Sequence, residues 1–352
     1  MSFELCVNWP GDLDVGRELI KKAYSLGYKG IAFNHTLNLI DKFNKIRSNI
    51  NKSGGGRSLN LSSNGILSSL AKEGHVCPIQ YINISRNELL ELRKKGIYSN
   101  ISLLAKNTYL PLSLSCHDSK INRKFNTDED ISLDFFQLRR VTIVFDNQDH
   151  TPYINALSRG PCNESSDSWS KALFSNLPNE PYDIVAVRPT TQNSLNAAIS
   201  SIECDIISID ISSQPKLPFI IKRQQVNLAI SRGIFFEIDI SQCFLNKGNH
   251  RRNFFLNFLA LTRHIPHKNI IITGSPGCTI DIKSPIDLSN ICYVLLSMDL
   301  DRKINVNPND FTNSNALRAL AKGTNRKTFA SIVVINEKDR LDQGKDYEMN
   351  IS

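Results

Sequence analysis

Seven polar residues share the inward faces of predicted strands, several of them at strand C-terminal ends, and their types suit metal or phosphate chemistry: Asn8, Asn34, Asp146, Arg188, Asp210, Glu237 and Asp239. A metal-dependent phosphoesterase would use Asp146, Asp210, Glu237 and Asp239 as oxygen ligands, with His35 beside them. Of the seven histidines, only His35 follows a strand end near these acids. A hydrolytic metal centre calls for more imidazoles than that. The favoured reading is therefore a satisfied network of ion pairs and hydrogen bonds, with Arg188 neutralising carboxylates. His264 and His267 show HxxH spacing, half of a zinc site, but precede a strand at the opposite end. Gly274-Ser275-Pro276-Gly277 follows a strand and lacks a P-loop lysine, so it reads as a plain turn. No Ser/His/Asp or Cys/His arrangement can be assembled.

Strand alternation is what gathers these residues. Ile207, Ile209 and Ile211 share one face of a strand, and Ile206, Ser208 and Asp210 share the other. Glu237 and Asp239 oppose Phe236, Ile238 and Ile240. Ala186 pairs with Arg188, Ala32 with Asn34, Cys6 with Asn8, and Thr142 with Val144 and Asp146. The wholly apolar faces must meet helices, which leaves the polar faces for the interior of a closed sheet. The predicted strands are Phe3–Val7, Gly30–Asn34, Arg140–Asp146, Tyr182–Pro189, Asp205–Ile211, Phe235–Ile240 and Asn269–Gly274. Helical periodicity marks Val15–Leu26, about Leu39–Arg47, Gln192–Glu203, a stretch ending at Arg232-Gly233, Arg251–His264 and Asn315–Lys322. Ser284-Pro285 opens a further helix, with Ser as N-cap. Strands alternating with helices predict an α/β, TIM-like parallel barrel of about seven strands. An open doubly wound sheet is the second arrangement.

The 352 residues are read as one barrel domain over 1–335, interrupted by a partly disordered insertion over 48–137 and followed by a charged, disordered tail over 336–352. Inside the insertion, Val76–Ile84 is a candidate strand and Arg86–Lys95 a short helix. Asp149–Pro181 is rich in Ser, Pro and Asn, with a helical turn or two near Trp169–Phe174. No apolar run approaches the length that spans a bilayer, and Met1–Leu5 carries no secretory signature. The eight cysteines form no CxxC pair and read as buried free thiols.

A net charge of +8 and a pI near 9.0 favour polyanionic partners. Lys222-Arg223, Arg251-Arg252 and Arg326-Lys327 are adjacent basic pairs, and Arg139-Arg140, Arg232, Lys268, Lys283 and Arg318 lie near element ends. Such a surface suits an RNA backbone. No aromatic pattern for stacking bases on a sheet accompanies it.

Several segments, in this order and spacing, resemble one family. They include Leu26-Gly27-Tyr28 with Ile31-Ala32-Phe33-Asn34-His35, Arg140-Val141-Thr142, Tyr182–Pro189, Leu217-Pro218-Phe219 before Lys222-Arg223, Arg232-Gly233, Phe236-Glu237, Arg251-Arg252, Ser284-Pro285 and Thr324-Asn325-Arg326-Lys327-Thr328. The sequence resembles the barrel-fold protein subunit of eukaryotic and archaeal ribonuclease P, shared in eukaryotes with ribonuclease MRP. The resemblance covers about Phe3–Asn49 and Arg139–Phe329. It implies a seven-stranded barrel related to PHP phosphoesterases, without catalytic residues, metal or cofactor of its own. It also implies a catalytic RNA whose bound magnesium serves 5′-leader removal from precursor tRNA. A small RRM-like subunit would be its protein partner, and the nucleus, notably the nucleolus, its location. The residues expected to touch RNA are Arg188, Lys222, Arg223, Arg232, Arg251, Arg252, Arg326 and Lys327. Cys6 and Asn8 stand where a PHP enzyme would place histidines.

Overall fold

The computed structural model describes residues 2–53, 77–82, 84, 88, 135–159, 182–244, 249–297 and 307–329. Among them are seven strands: β1 (Ser2–Asn8), β2 (Tyr28–Asn38), β3 (Phe136–Phe145), β4 (Ile184–Pro189), β5 (Ile206–Ser208), β6 (Phe235–Asp239) and β7 (Ile270–Thr273). Each pairs in parallel with the next, so spatial order equals chain order. Helices follow the strands: α1 (Leu13–Ser25), α2 (Leu39–Ser53), α3 (Thr151–Arg159), α4 (Gln192–Ser200), α5 (Arg223–Ser231), the single turn α6 (Ser241–Phe244), α7 (His250–His264), α8 (Pro285–Ser297) and α9 (Ser314–Phe329). The expected TIM-like barrel is what forms, nearly closed, and the open sheet is set aside.

The outer faces of the strands carry the largest core. Val141, Ile143, Val185, Val187, Ile207, Phe236, Ile238 and Ile272 pack there against Leu195, Phe254, Phe258 and Leu288 of the helices. Local signals set the helix ends. Thr191 and Ser194 form a reciprocal capping box at the start of α4, with Ser194 N donating to Thr191 Oγ1 (3.2 Å) and Thr191 N to Ser194 Oγ (2.9 Å). Ser284 caps α8, accepting from Asp287 N at 3.1 Å. Gly233 adopts φ +69° just past α5, as its place after Arg232 predicted.

Several boundaries differ from the sequence reading. β2 and β3 are longer than predicted because they pair continuously from Gly30 against Phe136 to Asn38 against Val144. β5 is shorter because the chain turns beyond Ser208, where Asp210 Oδ1 accepts the amides of Ser212 (3.1 Å) and Ser213 (3.3 Å). α3 was not predicted; its polar neighbourhood hid Tyr153, Ile154 and Leu157, which are all buried. Residues 77–82 of the expected strand Val76–Ile84 are not a strand. Gln137 clamps them instead, its side chain bonding Ile82 N (3.0 Å) and Ile82 O (2.6 Å), while Ile79 and Ile82 pack near α1. The helix Arg86–Lys95 apart from Glu88, the turns near Trp169–Phe174 and the tail 336–352 lie outside the described residues. Of the six described cysteines, all free, Cys278 is exposed and Cys77 half-buried, against the expectation of buried thiols. Among the described residues no helix is long and apolar enough to cross a membrane.

Candidate functional site

The lumen has two layers. At the strands' N-terminal end it is apolar: Phe3, Leu5, Ala32, Leu138, Ile184, Ala186, Ile206, Phe235 and Ile271 meet Ala316, Ala319 and Leu320 of α9. That helix plugs the barrel's lower end. Above this layer the strands present the polar faces predicted from their alternation.

The centre of the polar layer is Arg140, 0% exposed, facing Glu237, 1% exposed. Arg140 Nη1 donates to Glu237 Oε1 (2.5 Å) and to Leu5 O (2.8 Å), Nη2 to Glu237 Oε2 (2.6 Å), and Nε to Thr142 Oγ1 (3.2 Å). Thr142 donates onward to Asn34 Oδ1 (2.6 Å), and Thr273 Oγ1 donates to Glu237 Oε1 (3.1 Å). Burial alone would push the Glu237 carboxyl up; the charge and hydrogen bonds of Arg140, with Ser208 and Arg188, outweigh it and hold Glu237 below its ordinary value. Beside it, burial and the Glu237 charge push Asp239 up, although Ser241 N donates to Asp239 Oδ1 at 2.9 Å.

The seam between β1 and β7 is closed differently. Among the described residues no ladder joins these strands. Gly274 N donates to both oxygens of Glu4 (3.2 and 3.3 Å), and Asn8 N donates to Pro276 O (3.0 Å). Tyr28 Oη donates to Glu4 Oε2 at 3.4 Å. The register of β1 against β2 shifts between Glu4 and Val7, beside this seam. Burial pushes the Glu4 carboxyl up to about 8, against the lowering effect of the Gly274 and Cys6 amides. The Gly274–Gly277 turn thus gives its first amide to an internal carboxylate rather than to a bound phosphate. Ser275 within it sits at φ +41°, an uncommon conformation for a residue with a side chain.

The structure brings Asn8, Asn34, Arg188, Glu237 and Asp239 to the lumen and its mouth, and separates the remaining metal-ligand candidates. Asp146 lies beyond β3, its side chain 41% exposed and 3.7 Å from His150 Nδ1. Asp210 is wrapped by Ser212 and Ser213; burial pushes it up, but those donors and the nearby Arg188 charge hold it below its ordinary value. His35 is half-buried, its pKa lowered by burial and by Lys42. Among the described residues no three His, Cys, Asp or Glu side chains are grouped to hold a metal ion.

The eight basic residues expected at RNA divide between the two ends of the barrel. Lys222 and Arg223 open α5, and Arg251 and Arg252 open α7; all four are exposed. Because these helices follow β5 and β6, their first turns stand at the strands' C-terminal mouth, where barrel proteins place their sites. The amide ends of the helices add to the positive potential there. Arg188, at the end of β4, lies at the same end of the barrel, half-buried. Arg232, Arg326 and Lys327 belong to the opposite end and have internal acceptors. Arg232 holds Ile199 O (2.5 Å) and Ile202 O (2.8 Å) at the end of α4. Arg326 pairs with Asp205 (3.0 Å) and donates to Ser158 O and Tyr182 O, and Lys327 pairs with Asp183. Their positions fasten α9 to β4 and β5 and leave a phosphate little to reach.

Arg140, central to the layer, is legible in the sequence as a lumen group, since it precedes Thr142 on the same alternating face. Glu4 precedes Cys6 and Asn8 in the same way, yet it lies at the seam, where the register of β1 shifts between Glu4 and Val7, a shift with no marker in the sequence.

Ribonuclease P protein subunit p30 of Mus musculus is 30% identical over 170 residues, 48% of this chain and 60% of that protein. Probable ribonuclease P protein subunit 3 of Schizosaccharomyces pombe is 33% identical over 132 residues, 37% of this chain and 54% of that protein. Ribonuclease P protein subunit drpp30 of Dictyostelium discoideum is 39% identical over 113 residues, 32% of this chain and 30% of that protein. The chain thus spans less than two thirds of the length of each of these relatives. A chain from the cryo-EM structure of archaeal ribonuclease P with mature tRNA superposes with a TM-score of 0.46 at 11% identity, covering 94% of this chain and 98% of that one. The family model for RNase P subunit p30 matches residues 1–320, and this chain belongs to that family.

Proposed function

We propose that this chain is the barrel subunit of a ribonuclease P ribonucleoprotein, serving 5′-leader removal from precursor tRNA by binding and stabilising the catalytic RNA. The same role in ribonuclease MRP is part of the proposal. One observation supports it above the others: the lumen's central carboxylate is already neutralised by Arg140, whereas Lys222, Arg223, Arg251 and Arg252 are exposed together on the rim of the mouth. The interior is built as structure and the rim as an anion-facing surface. Cleavage belongs to the RNA with its magnesium, and the chain acts as a non-catalytic subunit. A small RRM-like subunit is the proposed protein partner, and the nucleus and nucleolus the proposed location.

The test is affinity purification of the tagged protein from its own cells, sequencing of the bound RNA and a precursor-tRNA cleavage assay. The expected result is a structured RNA with leader-cleaving activity. Changing Arg251 and Arg252 to Glu should weaken RNA binding and flatten the salt dependence by roughly 0.7–0.9 in slope per lost phosphate contact. Absence of a stable RNA, or unchanged affinity and salt slope in the double variant, would overturn the reading.

A further inference from the structure

Arg188 is built unlike the basic residues that hold the fold together. Arg140, Arg232 and Arg326 each distribute their N–H groups over two or more acceptors. Among the described residues Arg188 makes one hydrogen bond, Nη2 to Ser208 Oγ at 3.1 Å, and its buried Nε has no acceptor. The nearby acids are already occupied. Both oxygens of Glu237 accept from Arg140, and Asp210 accepts from Ser212 and Ser213. Among the described residues Arg188 forms an ion pair with neither. A guanidinium carries five donors in a planar fork that matches a carboxylate or phosphate edge. Ser208, itself 1% exposed, fixes one arm of that fork. The residue is the penultimate one of β4, half-buried, at the same end of the barrel as the first turns of α5 and α7, which carry Lys222, Arg223, Arg251 and Arg252.

We propose that the barrel mouth is a phosphate-binding site in which Arg188, aligned by Ser208, grips a terminal phosphate of the RNA held at the rim. The inference rests on the RNA-binding reading for the source of the phosphate, but not for the site itself. A recessed guanidinium selects a chain end: a phosphodiester within a duplex is reached by the exposed rim residues, whereas a terminal monoester can enter the mouth. The monoester also carries more charge and an additional acceptor oxygen.

Two probes separate the site from its source. The first is inorganic phosphate, read as a thermal shift against chloride at equal ionic strength. The second is one oligoribonucleotide in three forms, with a 5′-phosphate, a 3′-phosphate or no terminal phosphate, read by fluorescence anisotropy. The wild-type protein should be stabilised by inorganic phosphate and should prefer a terminally phosphorylated form by roughly tenfold, the scale of one charge-assisted hydrogen bond. Arg188→Gln should abolish both effects. Arg188→Lys, which keeps the charge but loses the fork, should narrow the preference several-fold, and carries the test if circular dichroism shows the glutamine variant unfolded. Arg251→Glu with Arg252→Glu should weaken all three oligonucleotides together and leave the phosphate shift intact. If no oligonucleotide binds while phosphate still stabilises through Arg188, the RNA reading fails and the site stands, with the free ion as its ligand. No phosphate shift and no preference in the wild type, or effects that persist without Arg188, would overturn the proposal.

Discussion

Removing Arg140 tests the view that the lumen is structural. Arg140→Met fills similar space and deletes four hydrogen bonds, two of them to Glu237. The larger consequence is electrostatic. Glu237 remains 1% exposed with its cation gone and only hydroxyl donors left. Breaking a buried pair from one side costs about 3–5 kcal/mol, a large fraction of the roughly 5–15 kcal/mol that holds a folded domain. At about 2–4 °C per kcal/mol for a domain of this size, the melting midpoint should fall by roughly 6–20 °C. Adding Glu237→Leu should restore at least half of the loss, because it removes the stranded charge. The pair also sets an acid limb. Glu237 is held below its ordinary value in the fold, so its contribution is present above its unfolded pKa and lost as pH falls through the folded one. The assay is urea unfolding from pH 3 to pH 8 for wild type, single and double variants. A single variant within about 1 kcal/mol of wild type would refute the buried pair, since surface substitutions reach only about ±0.5 kcal/mol. A double variant no better than the single would refute the stranded charge as the cause.

Three further outcomes follow from particular contacts. Glu4 has the opposite sign to Glu237: its carboxyl is raised to about 8, so the folded state holds a proton that the unfolded chain releases at lower pH, and stability should fall between about pH 4.5 and pH 8. Glu4→Gln should flatten that slope by up to about 1.4 kcal/mol per pH unit, measured by denaturation across the window; an unchanged slope would place the titration elsewhere. Gly323→Ala should destabilise by roughly 1–3 kcal/mol, because a Cβ there would lie 2.3 Å from the carbonyl oxygen of Asp183; a melting point equal to wild type would show that α9 can shift. Thr191→Ala removes the capping box of α4 and should cost about 1 kcal/mol in chemical denaturation, with no effect expected on RNA affinity.

The sequence made the barrel legible because strand alternation and helix periodicity are local properties. Ile207, Ile209 and Ile211 announced an outer face, and Glu237 with Asp239 an inner one, before any tertiary contact was considered. The same alternation contains Arg140, although its place at the start of a predicted strand groups it with the charges near element ends and arginine is rare in a core. Element ends were less legible, since partners set them. Pairing with β3 carries β2 through the polar His35 and Thr36, and the anchors Asp183 and Asp205 carry α9 on to Phe329. Those anchors also explain why adjacent basic pairs mislead. Lys222-Arg223 and Arg326-Lys327 are alike as dipeptides, yet one opens a helix at the mouth and the other closes a helix beneath the barrel, against two aspartates. In an α/β barrel, helices run antiparallel to the strands, so a basic residue in a helix's first turn faces the mouth and one in its last turn faces the opposite end. Position within the helix, which the sequence does provide, separates rim from lock better than charge density does. By that criterion, which holds for the helices packed outside the strands, Arg251 and Arg252 belong with Lys222 and Arg223, and Arg232 belongs at the opposite end; Arg326 lies there because all of α9 is beneath the barrel, Asn315 in its first turn bonding Ile270 O at 2.8 Å.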